Sequence, residues 1–441
     1  MIHPQRIGEN IPVPGSDYDV IVAGAGPAGI GAALASSMAG ARTLILEERS
    51  FFGGEASLGL WMPVNRVTTD GKPRSAVHDL FVTTITAHGP LAAVEGKRTF
   101  IDGDGMDIHP DYLRLAVFEM FEKVGCAYRL YSPVTDVIMS DRVVTGVVSS
   151  RKGHRSEFSA SVVVDATGDG DVATLAGAAV MEGRESDGVH MPASLGFALA
   201  NVDVDKFLRF FTDSKEEFKA IVDQGEKAGY ATAVWYSFDR TTVPGVVSVN
   251  NGAFRGMPSL DATNAADLTL AERLGAEVAV DFVRLARDRK IPGLEECALI
   301  RTGAAVGVRD TRRVVGEYVQ TVEDAEKGAR FSDVVARKYG AIDAVQLYQG
   351  TMTSGFDYPY RSLVPLEVDG LLMAGRCASA TFMGHAAGKS MGNMMGLGVA
   401  AGAAASLAAR TGVTPRDVDV SELQKLLTGM GVDLAATGRN I

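Results

Sequence analysis

The sequence predicts an α/β fold in which a parallel sheet with an attached β-meander is interrupted by an inserted α+β unit. Three observations carry that prediction. Near the N-terminus, DVIVAGAGPAGIGAALASSMAGARTLILEE reads as an apolar strand, a Gly-x-Gly-x-x-Gly turn, a helix of small residues and a second apolar strand ending in acids. Near the C-terminus, GLLMAGRC and the Gly/Ala-rich segment after it repeat that strand–turn–helix composition. Between them the chain changes to charged amphipathic segments alternating with β-branched and aromatic ones. One sheet assembled from both ends of the chain, with a second unit threaded between, accounts for all three.

Residues 20–23 form the expected first strand, buried on both faces as a continuous apolar run implies. Gly24, Gly26 and Gly29 supply a tight turn, close backbone approach to a pyrophosphate, and close helix-to-strand packing. Pro27 and Ala28 open the helix, whose N-terminal N–H groups and dipole favour an anion. Residues 43–46 are the second strand, and Glu47, followed by Glu48, can accept hydrogen bonds from a ribose. A lone Gly-x-Gly-x-x-Gly is a weak signal. Framed by two strands, with an acid about 20 residues on, it specifies a Rossmann-like dinucleotide-binding unit. The loop Gly53-Gly54-Glu55 follows, and paired glycines let a backbone cross a pyrophosphate without an intervening Cβ.

Residues 60–108 read as irregular. Residues 109–124 read as a helix, with a proline near its start and Gly125 after its end. Residues 127–132 and 135–150 read as strands, the latter a hairpin turning at Ser140 and Asp141. The buried strand SVVVD runs straight into ATGDGD, a small-residue turn of the kind that passes close to a ligand. Residues 203–227 and 262–289 are amphipathic helical segments flanking a β-rich stretch at 232–249. Residues 299–319 and 363–373 are strand-like, and the remainder is helical.

Gly375-Arg376-Cys377 follows the strand GLLMA as a phosphate-contacting turn, with Arg376 offering bidentate donors. Cys377 has no base nearby and reads as a small buried residue. His385 and Lys389 stand at i, i+4 in GHAAGKSMGNMMG, a segment too rich in glycine to put both on one helical face with assurance. A histidine and a cation beside a redox cofactor can donate a proton, anchor a substrate or stabilise developing negative charge. Arg309, Arg312 and Arg313 read first as paired charges, with Asp310 and Glu317 as partners, and second as a substrate-anion site. Tyr358, Tyr360 and Arg361 form either an aromatic wall or a proline turn packed on the core. Residues 391–408 carry no charge over about the length of a membrane span. Their glycines and alanines transfer poorly into lipid, so a close-packing helix is expected and no membrane association.

Apolar residues make up 46% and charged residues 22% of the 441, an ordinary globular composition. The net charge of −11 argues against a nucleic-acid partner, which would call for basic surface. Cys126, Cys297 and Cys377 and the seven histidines show no zinc-ligand or Cys-x-x-Cys spacing. No metal is therefore expected, and the sparse cysteines fit a reducing cytoplasm. The first residues lack an apolar signal core and read as a short surface arm.

Taken in order, GAGPAGIGAA, LILEERSFFGG, VVVDATGDGDVATLAGA, GVRDTRRVVGEYVQT, LLMAGRCASAT and GVAAGAAA resemble the FAD-dependent oxidoreductases related to fumarate reductase flavoproteins, over residues 17–410. The resemblance implies FAD, an FAD-binding domain made of residues 1–180 and 363–441, and a substrate domain of residues 181–362. It implies cofactor contacts at Gly24, Gly26, Pro27, Ala28, Gly29, Glu47, Glu48, Gly53, Gly54, Glu55, Ala166, Thr167 and Gly168, with the backbone of Val134 at the adenine. Gly375 and Arg376 would lie toward the pyrophosphate, and Gly396 and Leu397 toward the isoalloxazine. The chain also departs from that pattern. Many relatives carry Arg where Lys389 stands and His where Phe382 stands, and Lys lacks the planar fork that clamps a carboxylate. The fumarate reaction is therefore not carried over.

The expected activity is hydride transfer between flavin N5 and a small organic substrate held between the two domains. His385 is the expected acid/base and Lys389 the polarising cation. With one fingerprint and no paired redox cysteines, electrons are expected to pass to oxygen, a small acceptor or a partner protein. The alternatives are an electron-carrying flavoprotein subunit of a larger complex and a tRNA-modifying flavoprotein. The chain leaves room for a homo-oligomer.

Overall fold

The computed structural model describes residues 17–69, 71–95, 105–255, 259–344 and 349–435. The segment read as a surface arm falls almost wholly outside them. The main sheet runs Ala127–Arg129, Thr43–Leu46, Asp17–Ala23, His154–Asp165, and then Leu371–Met373 on the far side of His154–Asp165, all parallel. The strand His154–Asp165 serves two sheets in sequence. Its first half alternates exposed and buried residues where it pairs antiparallel with Val143–Arg151, itself paired with Val134–Ser140. Its last four residues, Val162 to Asp165, are buried without interruption between its parallel neighbours. Alternation marks a one-sided meander and continuity a sheet covered on both faces, so one strand records the transition between them.

Two helices cover the same face of this sheet and pack on one another, Pro27–Met38 and Met391–Thr411. The contact is backbone on backbone. A Cβ on Gly398 would overlap the Ala28 carbonyl, one on Gly402 the Ala32 carbonyl, and one on Gly31 the carbonyl of Met395. Met391–Thr411 is long and apolar enough to cross a membrane, yet its apolar window is 89% buried inside the fold. Small residues serve here for close approach to the partner helix.

The middle of the chain builds a four-stranded antiparallel sheet in the order Ala233–Arg240, Val247–Phe254, Phe197–Ala200, Ala298–Thr302. The helices Val204–Asp213, Lys215–Lys227 and Ala265–Asp288 flank it, around a separate core that includes Phe197, Phe207, Phe218, Phe238 and Phe282. Side chains of Asp203 and Asn264 cap the first and third of these helices, which explains where each begins.

Two stretches differ from the sequence reading. Residues 60–108 were expected to be irregular, but they contain the helix Ala76–Thr86, capped by the Ser75 side chain. Residues 299–319 hold only the short strands Ala298–Thr302 and Arg312–Val314, because the intervening segment crosses between the two cores. A hairpin, Val334–Asp343 with Gln349–Pro359, also escaped the sequence reading. Its apolar pattern is broken by Arg337, which is buried and paired with buried Asp357 at 3.1 Å. Val335, Ala336, Tyr358 and Tyr360 join the main core, which resolves the aromatic segment as core packing.

The helix pair yields a test. In an isolated helix, replacing Gly by a larger residue gains at most about 1 kcal/mol of propensity. At Gly402 the side chain meets a carbonyl that belongs to another helix backbone and cannot rotate away. Gly402→Val is expected to lower the stability measured by denaturant unfolding by about 3 kcal/mol or more, overpacking outweighing propensity.

Candidate functional site

Four turns converge at the C-terminal end of the parallel sheet. Gly24, with φ +90°, lies so close to the Ala166–Thr167 backbone that a Cβ would sit 2.5 Å from the Ala166 carbonyl oxygen. A Cβ on Gly29 would overlap the Gly24 carbonyl. Gly54, at φ +50°, crosses the fingerprint with Gly26 Cα only 2.7 Å from the position of a Cβ. Gly375 stands beside Ala28. Gly26 is the exception, since nothing lies nearer than 4.0 Å to where its Cβ would be.

The helix Pro27–Met38 starts there with no side-chain cap and no acid in its first turn. Its leading N–H groups thus keep their capacity for an external acceptor. An open glycine at an uncapped, uncountered helix N-terminus suits a diphosphate, so the residues present fit a dinucleotide. Gly53 donates its N–H to the Ala25 carbonyl at 2.9 Å, tying the second loop to the first.

Glu47 is buried, and both of its carboxylate oxygens accept backbone donors, from Ala25 N–H at 2.7 Å and Arg49 N–H at 2.9 Å. Burial raises its pKa, while those two N–H groups pull it down. Glu47 therefore shapes the fingerprint loop from beneath, and each oxygen retains a lone pair. Glu48 is exposed beside Arg49 at 3.5 Å. Ser132 N–H donates to the Glu47 carbonyl, which sets Val134 next to the end of the second strand.

The ATGDGD turn is locked by a residue the sequence reading passed over. Asp165 is fully buried and accepts from Thr167 N–H, the Thr167 hydroxyl and Ala173 N–H. Arg376 lies over Gly168 and pairs with Asp169 at 2.7 Å, and it also donates to the Thr311 hydroxyl. That pair holds the Asp169 carboxyl below its usual range against the opposing effect of burial. Cys377 is fully buried, and its thiol is pushed well above its ordinary value, which makes it inert as a nucleophile. Gly396 faces Arg74 and His78, at 3.9 and 4.0 Å from where its Cβ would be, and Leu397 is buried in the main core.

His385 and Lys389 come together, though not on a shared helix. The helix Phe382–Ala386 ends before Lys389, and Ile342 bridges to Ala387 in the gap. His385 donates from Nε2 to the Arg309 carbonyl at 3.1 Å, which places the ring hydrogen on that nitrogen. Burial drives its pKa down to about 3, helped by the Lys389 charge, so the imidazole is neutral. Lys389 donates to the Asp343 carbonyl at 2.5 Å and contacts Met191 Sδ at 3.2 Å, with the Asp343 carboxylate at 3.7 Å. Burial brings its pKa down to about 8.

Glu55 and Arg309 complete the group. Burial raises the Glu55 pKa and lowers that of Arg309, yet both side chains remain partly accessible. Their charges act on each other and, through Arg309, on Lys389, where the Gly53-Gly54 loop, the middle sheet and the segment leading into Met391–Thr411 meet. Arg312 and Arg313 follow the paired-charge reading, with Asp171 at 2.5 Å and Asp310 at 2.6 Å. Glu317 pairs with Arg416 instead. Among the described residues, no group of three or more His, Cys, Asp or Glu is placed to hold a metal ion.

The family described as FAD dependent oxidoreductase matches residues 19–427, and the chain belongs to it. The protein is thus an FAD-dependent oxidoreductase with FAD as its cofactor. The thiamine thiazole synthase of Aeropyrum pernix is 31% identical over 166 residues, a match covering 35% of this chain and 56% of that enzyme, little more than half its length. Among solved structures, a geranylgeranyl bacteriochlorophyll reductase-like protein from Thermoplasma acidophilum aligns over 94% of this chain and 84% of its own, at 16% identity and a TM-score of 0.50. A myxobacterial chondrochloren halogenase, an FAD-dependent enzyme, aligns over 93% and 78%, at 14% identity and a TM-score of 0.51. These two likenesses show the fold.

The neutral burial of His385 has a pH signature. The unfolded chain protonates this histidine below about pH 6.5, while the folded chain resists down to about 3. Its contribution to stability is complete above pH 6.5 and is lost as the pH falls toward 3. Between pH 7 and pH 5, His385→Gln is expected to lose about 2 kcal/mol less stability than the wild type, measured by denaturant unfolding at both pH values.

Proposed function

We propose that the glycine-rich end of the sheet holds the ADP half of FAD and that the cleft beside Glu55, Arg309, His385 and Lys389 takes a small organic substrate. The open Gly26 at an uncapped helix N-terminus is the observation that carries this reading. When bound, FAD supplies a site that accepts or returns hydride at N5. Gly26, Ala28 and Gly29 offer backbone N–H groups to the pyrophosphate, and Gly54, Gly168 and Gly375 keep side chains out of its path. Glu47 uses its remaining lone pairs for the ribose, and the Val134 backbone lies at the adenine. The unit around the middle sheet covers the substrate side, within residues 181–362. The electron acceptor is oxygen, a small molecule or a partner protein.

Lys389 has three ammonium hydrogens, and its two neighbours at Asp343 and Met191 leave one for the substrate. It stabilises negative charge developing on a carbonyl, carboxylate or hydroxyl oxygen. His385 is too weak a base and too neutral to deliver a proton as imidazolium. It positions the Arg309 segment through its Nε2–H and presents Nδ1 as an acceptor. The likeness to fumarate reductase flavoproteins extends to the cofactor landmarks, and His385-x-x-x-Lys389 replaces the arginine that would grip a dicarboxylate with a point charge.

Two experiments test this reading. Gly26 has φ −73°, which alanine adopts without strain, and open space at its Cβ. Gly26→Ala is expected to leave the stability of the FAD-free chain unchanged while weakening FAD binding by roughly ten- to hundredfold, read by flavin fluorescence titration. An equal loss of stability would assign Gly26 to the fold instead. For chemistry, anaerobic bleaching of the flavin spectrum identifies a reductant, after which Lys389→Met is expected to lower kcat/KM by about a hundredfold or more. Because the Lys389 ammonium loses its proton near pH 8, activity should fall above that pH, and Lys389→Arg should move the fall to higher pH.

A further inference from the structure

We infer that Arg309, lying over the Trp235 ring, is the carboxylate-recognition residue of the cleft, so that the substrate carries a single carboxylate. This rests on the reading that the cleft is the substrate site of an FAD enzyme. Of the three arginines in GVRDTRR, only Arg309 makes no side-chain hydrogen bond or ion pair within 4 Å among the described residues. Its neighbours carry anionic partners. Arg312 meets Asp171 through one terminal nitrogen, its Nε being covered without an acceptor, and Arg313 meets Asp310 and the carbonyls of Gly183 and Ala380. Arg309 Nε lies covered with no acceptor. A guanidinium partly withdrawn from water with no anion against it is unfavourable, and a ligand that supplies the charge removes that penalty.

The middle sheet holds the guanidinium in place. Arg309 lies over the Trp235 ring at 5.5 Å. Trp235 pairs across the sheet with Gly252, and any Cβ on Gly252 would overlap the indole. The glycine thus lets the ring lie flat on its neighbouring strand as a platform. A guanidinium held against a ring keeps its edge for two parallel hydrogen bonds, the geometry that matches a carboxylate. From the other side, His385 fixes the Arg309 carbonyl.

One guanidinium without an ion pair provides one fork, and Glu55 and Asp343 add negative charge nearby, which disfavours a second carboxylate or a phosphate dianion. Lys389 is already committed to Asp343 and Met191 and lacks the fork. Arg309 therefore binds the carboxylate, and Lys389 faces the reacting part of the molecule.

The test uses the FAD-loaded full chain and the flavin absorbance difference spectrum, with acetate, propionate and benzoate titrated beside acetamide, propionamide and benzamide, and with malonate as a two-carboxylate control that should bind no more tightly than propionate. At least one carboxylate should perturb the flavin more tightly than its amide. Arg309→Met should weaken that carboxylate by roughly ten- to hundredfold with FAD content unchanged, and Arg309→Lys should recover part of the loss. Trp235→Leu should weaken it less than Arg309→Met, since the platform orients the charge and does not supply it.

The inference is overturned if no carboxylate binds better than its amide, or if Arg309→Met binds carboxylate like the wild type. It is also overturned if Arg309→Met loses FAD, which would assign the residue to the cofactor. A chain that takes up no FAD at all fails the earlier reading, and that result is separable because it appears before any carboxylate is added.

Discussion

The architecture depends on the backbone-to-backbone contact between Pro27–Met38 and Met391–Thr411. Ala28 meets Gly398 and Ala32 meets Gly402, so the two helices run in the same direction and their N-termini lie at the same end of the sheet. Gly-rich helices are intrinsically weak, by about 1 kcal/mol per glycine relative to alanine. Dispersion contact along the whole seam and the burial of Ala400, Ala401, Ala403 and Ala404 offset that weakness. Because Gly398 lies opposite Ala28, the first two turns of Met391–Thr411 run on past the start of Pro27–Met38, and Gly392 meets the Arg66 backbone there.

Much of the sheet was legible because its signals are local. A short apolar run followed by glycine, as in VIVAG or LLMAG, needs no knowledge of its neighbours. The same holds for the helix Pro110–Val124, whose proline start and Gly125 end are written in adjacent residues. The hairpin Val334–Pro359 was illegible because Arg337 and Lys338 occupy buried positions, and a charged residue inside a strand reads as surface until its partner is known. Arg337 finds Asp357 on the opposite strand, and Lys338 lies over the rings of Phe356 and Tyr358 at 5.8 and 5.0 Å.

The site divides along the same line. Glycines announce themselves because a required φ or close approach restricts identity at one position. Asp165, Trp235 and Arg309 do not, since Asp165 gains its role from donors two and eight residues on that no pattern marks, and Trp235 and Arg309 from partners on separate elements. Asp165 looks like an ordinary acid before a turn, and only the fold reveals three donors converging on it. Trp235 matters through Gly252 and Arg309, which lie on different elements. His385 and Lys389 were visible as residue types, but the neutral state of one and the lowered pKa of the other come from burial that no local pattern encodes.

The charges of this region fall into two physical sets, and the division explains how one cleft can be both firm and reactive. Asp165, Asp169 with Arg376, Arg312 with Asp171, and Arg313 with Asp310 hold short contacts that tie turns to strands. Their fields are largely cancelled at close range, so they contribute geometry more than potential. Glu55, Arg309 and Lys389 are governed by desolvation instead, with every shift favouring the neutral form. Their interactions with one another act over longer distances in a medium less polarisable than water, where an uncancelled charge retains most of its effect. Within the second set Lys389 keeps the Asp343 carboxylate at 3.7 Å, while Arg309 has no ion pair within 4 Å among the described residues. In the proposed substrate site such charges would act as a preorganised field, which stabilises a transition state without reorganising during the reaction.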